Sequence, residues 1–212
     1  MLNTKKLQFA YSAQRKFVFP DLHCAAGDAL LITGASGCGK TTLLHLLAGI
    51  LHPQSGEILI GTTDLSKLTP SQADRFRGQN IGLVYQKPHF LAALSVYDNL
   101  LLAPYFGHKG SNSKDIRQLA EQLGISHTLK QLPARLSVGE QQRASIARAL
   151  VNNPKLILAD EPTSALDDPN CQAVITLLMQ QAREHQAALV IVTHDGRLKD
   201  VVKNQIELVK QA

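Results

Sequence analysis

The run ALLITGASGCGKTT, residues 29–42, decides the fold. ALLIT is a short apolar run closed by a glycine, which reads as a buried strand. Its continuation GASGCGKTT, 34–42, fits G-x-x-x-x-G-K-[ST], and TLLHLLAGIL at 42–51 follows at helical length. Strand, glycine loop, lysine and helix in that order form a cradle for phosphate. Gly34, Gly37 and Gly39 let the loop, with Ala35, Ser36 and Cys38 between them, curl its N–H groups round phosphate oxygens without Cβ obstruction. Lys40 reaches the β- and γ-phosphates, the Thr41 hydroxyl can hold Mg²⁺, and Thr42 adds a second hydroxyl. A plain glycine turn would require none of this context, so the chain reads as a binder of a nucleoside triphosphate. Cys38 has two readings, a small filler or a thiol made reactive by a lysine and a helix start.

Outward from this loop, GEILIG (56–61), IGLVY (81–85), LILAD (156–160) and ALVIVT (188–193) read as further strands, and QAVITLLMQQARE (172–184) repeats apolar residues at helical spacing. Strands alternating with helices predict an α/β fold with a largely parallel sheet. From about 87 to 135 the pattern changes. VYDNLLLAPYF and DIRQLAEQLGI read as helices separated by the turn-rich GHKGSNSK. We expect one domain, with a core of residues 1–86 and about 153–212 and a helical subdomain inserted at about 87–152.

The totals bound the function. A chain of 212 residues, 44% hydrophobic and 18% charged, can bury a full globular core. Its net charge of +5 is spread along the sequence, which suits a phosphate ligand or an anionic membrane surface and does not point to nucleic acid. Cys24, Cys38 and Cys171 form no CxxC pair, so neither a disulfide framework nor a zinc site is expected and a reducing cytosolic setting fits. MLNTKKLQFAY is too polar for a signal peptide. The apolar stretch at 43–51 falls well short of the roughly 18 residues a membrane span requires.

LILADEPTSALDD carries the second half of the site. Asp160 ends an apolar strand, where its carboxylate can meet Mg²⁺. If the strand geometry persists, alternation points Glu161 to the opposite side. A second carboxylate beside a magnesium ligand is what hydrolysis needs, a general base for the attacking water, and a kinase has less use for it. LSVGEQQR at 136–143 has two readings. Ser137 and Glu140 fit a capping box, and a helix start also favours an anion.

The phosphate loop, LSVGEQQR, LILADEP, SALD and THD occur in the order and spacing of an ABC-type ATPase, and the resemblance covers nearly the whole chain. It implies a P-loop fold with an antiparallel β portion near the N-terminus, ATP and Mg²⁺ as ligands, and ATP hydrolysis. It also implies a head-to-tail homodimer formed on ATP, each nucleotide lying between one copy's phosphate loop and the other's LSVGE. Ser137, Gly139 and Glu140 then face the partner's γ-phosphate, and Val138 stands where the family has glycine. By the same resemblance Tyr11 stacks on adenine, Gln86 senses Mg²⁺ and water, Asp167 links the two sites, and His194 is the switch histidine at the γ-phosphate. Without the resemblance Tyr11 reads as sheet packing and Asp167 as a helix N-cap.

LHPQSGEILIGTTDLSKL, FRGQNIGLVYQ and LSVGEQQRASIARAL look like the MacB/LolD/FtsE group. That group implies an FtsX-like permease as partner, serving lipoprotein release or drug and peptide export, and a place on the inner face of the cell membrane. KPHFLAALSVYDNL would then receive the permease in a groove around His89, Phe90 and Leu91, unless these residues merely pack the insert. The alternatives are regulation of a membrane or cell-wall process without transport, and a soluble ATPase acting on nucleic acid or ribosomes. NQIELVKQA, 204–212, departs from the family's usual continuation and implies a shortened or absent C-terminal hairpin.

Overall fold

The computed structural model describes residues 1–12, 15–108, 110, 113–164 and 166–210. In chain order the elements are β1 (Leu2–Ser12), β2 (Arg15–Val18), β3 (His23–Cys24), β4 (Ala29–Gly34), α1 (Lys40–Leu47), β5 (Ser55–Ile60), β6 (Thr63–Asp64), α2 (Pro70–Asn80), β7 (Ile81–Val84) and α3 (Val96–Phe106). They continue with α4 (Ser113–Gln122), α5 (Val138–Leu150), β8 (Leu156–Asp160), α6 (Asp168–Glu184), β9 (Ala188–Val192) and β10 (Asn204–Leu208).

A five-stranded sheet in the order β10-β4-β9-β8-β7 forms the core, and every neighbouring pair in it is parallel. All of β9 and all of β8 up to Ala159 are buried, because both faces of the sheet are covered. Ile157, Ala159, Leu189 and Ile191 pack on one face with residues of α3, α4, α5 and α6. Leu156, Leu158, Val190 and Val192 pack on the other with α1 and a second sheet. Each such side chain contributes roughly 1.5–3 kcal/mol on burial.

The second sheet is antiparallel, in the order β2-β1-β5-β6 with β3 also on β1. GEILIG therefore belongs here and not to the parallel core. Between β7 and β8 the described residues hold only helices and turns. Lys109, Ser111 and Asn112 of GHKGSNSK lie outside the described residues, as does Ala165 of SALD.

Three boundaries differ from the sequence reading. The helix after the phosphate loop stops at Leu47 rather than running to 51, since Gly49 takes φ +64 and turns the chain away. The helix expected from 172 starts at Asp168, because Asp167 caps it and Pro169 suits its first turn. The tail NQIEL supplies β10, lying parallel to β4. Its polar first half, exposed at the sheet edge, hides the strand pattern. Helix α2 also went unread, although Thr69 and Gln72 close a capping box ahead of it.

Candidate nucleotide site

The loop between β4 and α1 is shaped by Gly39, the N-cap of α1, at φ +102. A Cβ there would lie 2.7 Å from Phe17 Cδ1, so glycine is required both by conformation and by space. No side chain caps α1, which leaves the N–H groups of its first turn without a partner from their own sequence. Lys40 Nζ donates to Gly34 O (2.7 Å) and Ala35 O (3.1 Å), folding back across the loop.

Ser36, Gly37, Gly39, Lys40, Thr41 and Thr42 line a cleft of about 620 Å³. Its other walls are Gln86 beyond β7, Asp160 and Glu161 at the end of β8, His194 beyond β9, and Arg15 on β2. The C-terminal ends of three adjacent parallel strands thus converge on one loop, where open α/β sheets bind their ligands.

Glu161 corrects the alternation argument. Its φ of +48 breaks the extended geometry, so it shares the cleft with Asp160 instead of pointing away. Its N–H donates to Val192 O (2.8 Å). Its carboxylate accepts from Thr193 Oγ1 (2.7 Å) and from the His194 N–H (3.1 Å), and lies 2.7 Å from His194 Nδ1. A non-glycine residue held there costs of order 1–3 kcal/mol, a strain that three contacts offset and that aims the carboxylate. Burial, then the neighbouring Glu161 charge, pushes the Asp160 carboxyl above its usual range.

Two carboxylates side by side call for a cation. Thr41, Gln86 and Asp160 offer hydroxyl, amide and carboxylate oxygens to the same cleft, the hard donors that Mg²⁺ takes. Among the described residues no group of three or more His, Cys, Asp or Glu gathers. The remaining oxygens would be those of water and phosphate, so the residues fit Mg²⁺ arriving with a nucleotide.

Tyr11 is 52% exposed, its hydroxyl 3.4 Å from Thr42 Oγ1 and its ring edge-on to Phe9 and Phe17. The Arg15 guanidinium sits 5.3 Å from the Tyr11 ring centroid. Sequence reasoning missed Arg15, since only the pairing of β2 with β1 carries it to the cleft, and no local signal marks it. Cys38 is buried in the core beneath the loop and does not line the cleft, which is the filler geometry.

Ser137, Gly139, Glu140 and Asp167 do not line this cleft. Ser137 caps α5 in a complete capping box: Glu140 N donates to its hydroxyl (3.3 Å), and its own N–H donates to Glu140 Oε2 (2.8 Å). Its hydroxyl also donates to the same oxygen, at 2.7 Å. These bonds, together with His127 at 2.8 Å from the other carboxylate oxygen, pull Glu140 down to about 2. Asp167 is exposed and caps α6 through Asn170 N (3.2 Å).

A glycine loop opening an uncapped helix, with a lysine across it and paired carboxylates opposite, defines a P-loop nucleoside triphosphatase. The pattern of the ABC transporter family matches residues 20–164. The lipoprotein-releasing system ATP-binding protein LolD of Shewanella sp. (strain MR-4) is 37% identical over 190 residues, covering 89% of this chain and 82% of that protein. The macrolide export ATP-binding/permease protein MacB of Rhodopirellula baltica is 40% identical over 181 residues, covering 84% of this chain and 26% of MacB. The dimeric ATP-binding cassette MJ0796, in a post-hydrolysis state bound to ADP and Pi, superposes with a TM-score of 0.85 at 28% identity, covering all of this chain and 97% of that one.

The chain belongs to the ABC transporter family. It is the ATP-binding, ATP-hydrolysing subunit, and cassettes of this kind dimerise and work with a membrane permease. Among the described residues no helix is long and apolar enough to cross a membrane.

Proposed function

We propose that this ATPase drives an FtsX-like permease for lipoprotein release or for drug or peptide export, the work named for LolD and MacB. The observation that carries the reading is a second groove, of about 1220 Å³, opening where the chain leaves Gln86. Tyr85, His89, Leu91, Leu102 and Phe106 line it, and Leu91 and Phe106 are 55% and 67% exposed. Phe90 turns inward, its ring 4.8 Å from the half-buried Arg148 guanidinium, which also donates to His89 O. The groove thus pairs an apolar floor with charged walls at Asp74, Arg75, Arg77 and Arg148, is braced from α5, and suits a short amphipathic helix of a membrane partner.

On this reading the triphosphate lies on residues 34–42, with Tyr11 against adenine. Thr41, Gln86 and Asp160 hold Mg²⁺, which when bound neutralises phosphate charge. Glu161, aimed by Thr193 and His194, takes the proton of the attacking water. His194 holds that geometry at the γ-phosphate. A second copy supplies Ser137, Gly139 and Glu140 to close the site, and Asp167 links the two sites. The helical stretch at about 87–152 is a subdomain carrying the LSVGE motif, and the protein sits on the cytoplasmic face of the membrane through its permease, with no role for nucleic acid.

Co-purification from membranes tests the reading. The wild type should bring down an integral membrane protein of FtsX type, and Leu91→Glu with Phe106→Glu should lose it. Recovery of ribosomes or DNA in its place would overturn the proposal.

A further inference from the structure

Between β8 and α6, residues 161–164, 166 and 167 lie outside helices and strands and include both Glu161 and Asp167. Side chains from outside bond this stretch, Gln142 at Pro162 O (3.2 Å) and Arg197 at two further carbonyls. Arg197, in the turn after β9, donates through Nε to both carboxylate oxygens of Asp195 (2.9 and 3.0 Å) and through Nη2 to Oδ2 (2.7 Å). Nη1 reaches Asp168 Oδ1 (2.5 Å) and Leu166 O (3.3 Å), while Nη2 also reaches Leu166 O (3.3 Å) and Thr163 O (3.4 Å). The planar fork of a guanidinium makes these contacts together, and an ammonium cannot.

The same network continues into the nucleotide cleft. Asp195 Oδ2 accepts from Thr163 Oγ1 (3.1 Å), and Asp195 N donates to Thr193 Oγ1 (2.9 Å). Thr193, fully buried, donates its hydroxyl hydrogen bond to Glu161 Oε2 (2.7 Å). Arg197 is therefore joined to the Glu161 carboxylate by a short series of hydrogen bonds, and to the cap of α6 by its contacts with Leu166 and Asp168. Arg197 does not line the cleft.

We propose that Arg197 is a positioning residue for ATP hydrolysis, clasping Thr163, Leu166 and Asp168 to the 193–195 loop so that Glu161 and Asp167 stay in fixed relation. The proposal rests on the reading of Glu161 as the base. A surface ion pair alone contributes little to stability, and the clasp instead acts on the aim of a carboxylate, where misplacement by about 1 Å costs up to about 100-fold in rate.

Steady-state ATPase of the isolated protein, with folded fraction measured in parallel, decides it. Arg197→Met should lower kcat by roughly 10- to 100-fold while KM moves by less than about twofold. Arg197→Lys should recover only part of the loss. Asp168→Asn should lower kcat partway, and the double variant should be no worse than Arg197→Met alone. An unchanged kcat per folded molecule, or a loss confined to KM, would overturn the clasp. If Arg197→Met does not fold, Asp168→Asn carries the test, since that carboxylate is 85% exposed, and wild-type kcat there refutes the proposal. Glu161→Gln run alongside separates the two claims: full hydrolysis in that variant refutes the base and the clasp with it.

Discussion

Helices α1 and α5 both begin at motifs that the family directs at phosphate, and they begin in opposite ways. Helix α1 opens at Gly39 with no side-chain cap and no acidic residue in its first turn. Helix α5 opens at Ser137 with its capping box complete and Glu140 ionised beside it. Unpaired N–H groups and the helix dipole favour an anion at either end, but at α5 a carboxylate of the chain itself occupies that position. The phosphate loop is thus preorganised to bind alone. The LSVGE start is already satisfied by its own chain, and on the proposed reading Ser137 must exchange Glu140 for a phosphate oxygen, which needs the second copy and the nucleotide together.

The largest test of this contrast removes turnover. Glu161→Gln should cut hydrolysis by about 10²–10⁴ and leave ATP bound, so that the two helix starts can be read separately. Light scattering should then show a dimer only with Mg-ATP. A dimer without nucleotide would mean that the α5 end is not gated by phosphate.

In that background, Lys40→Met should weaken nucleotide affinity of the single chain by on the order of 100-fold, the worth of a charge-assisted contact. Ser137→Arg should leave single-chain affinity intact and abolish the dimer. Equal losses of affinity in both variants, measured by nucleotide titration, would erase the distinction between the two ends.

Glu140→Gln sharpens it further. Glutamine keeps the capping box and removes a charge that opposes the incoming phosphate, so the ATP-bound dimer should tighten about fivefold. A dimer constant equal to that of the parent would show that the carboxylate swings clear. The smallest effect belongs to Val138, which is 65% exposed at the first position of α5. Val138→Gly should raise the ATPase rate by about twofold while costing up to about 1 kcal/mol of stability. An unchanged rate would make the valine neutral.

Much of this was legible locally. ALLITGASGCGKTT names its own strand, loop and helix, because glycine spacing and a lysine specify the cradle without help from distant residues. The apolar runs LILAD and ALVIVT lack alternation, and that alone says both faces are covered. The capping box at Ser137 and the N-cap at Asp167 are short-range patterns of the same kind. Helix α3 was read at its full extent for the same reason.

What the sequence by itself determined is therefore the set of local conformations and the chemical types brought to the site. Tertiary structure decided the rest. Glu161 turned into the cleft because Val192, Thr193 and His194, distant in sequence, bond its N–H and its carboxylate, and they overrule strand alternation. Arg15 reached the cleft only through the pairing of β1 with β2. NQIEL became a strand because β4 offered it an edge, and Cys38 was turned into the core by packing. Arg197 shows no motif, and its partners converge only when β8 and β9 lie side by side. Short-range bonding is written in adjacent residues. Long-range bonding depends on which strands become neighbours, and that is settled by burial of the whole sheet.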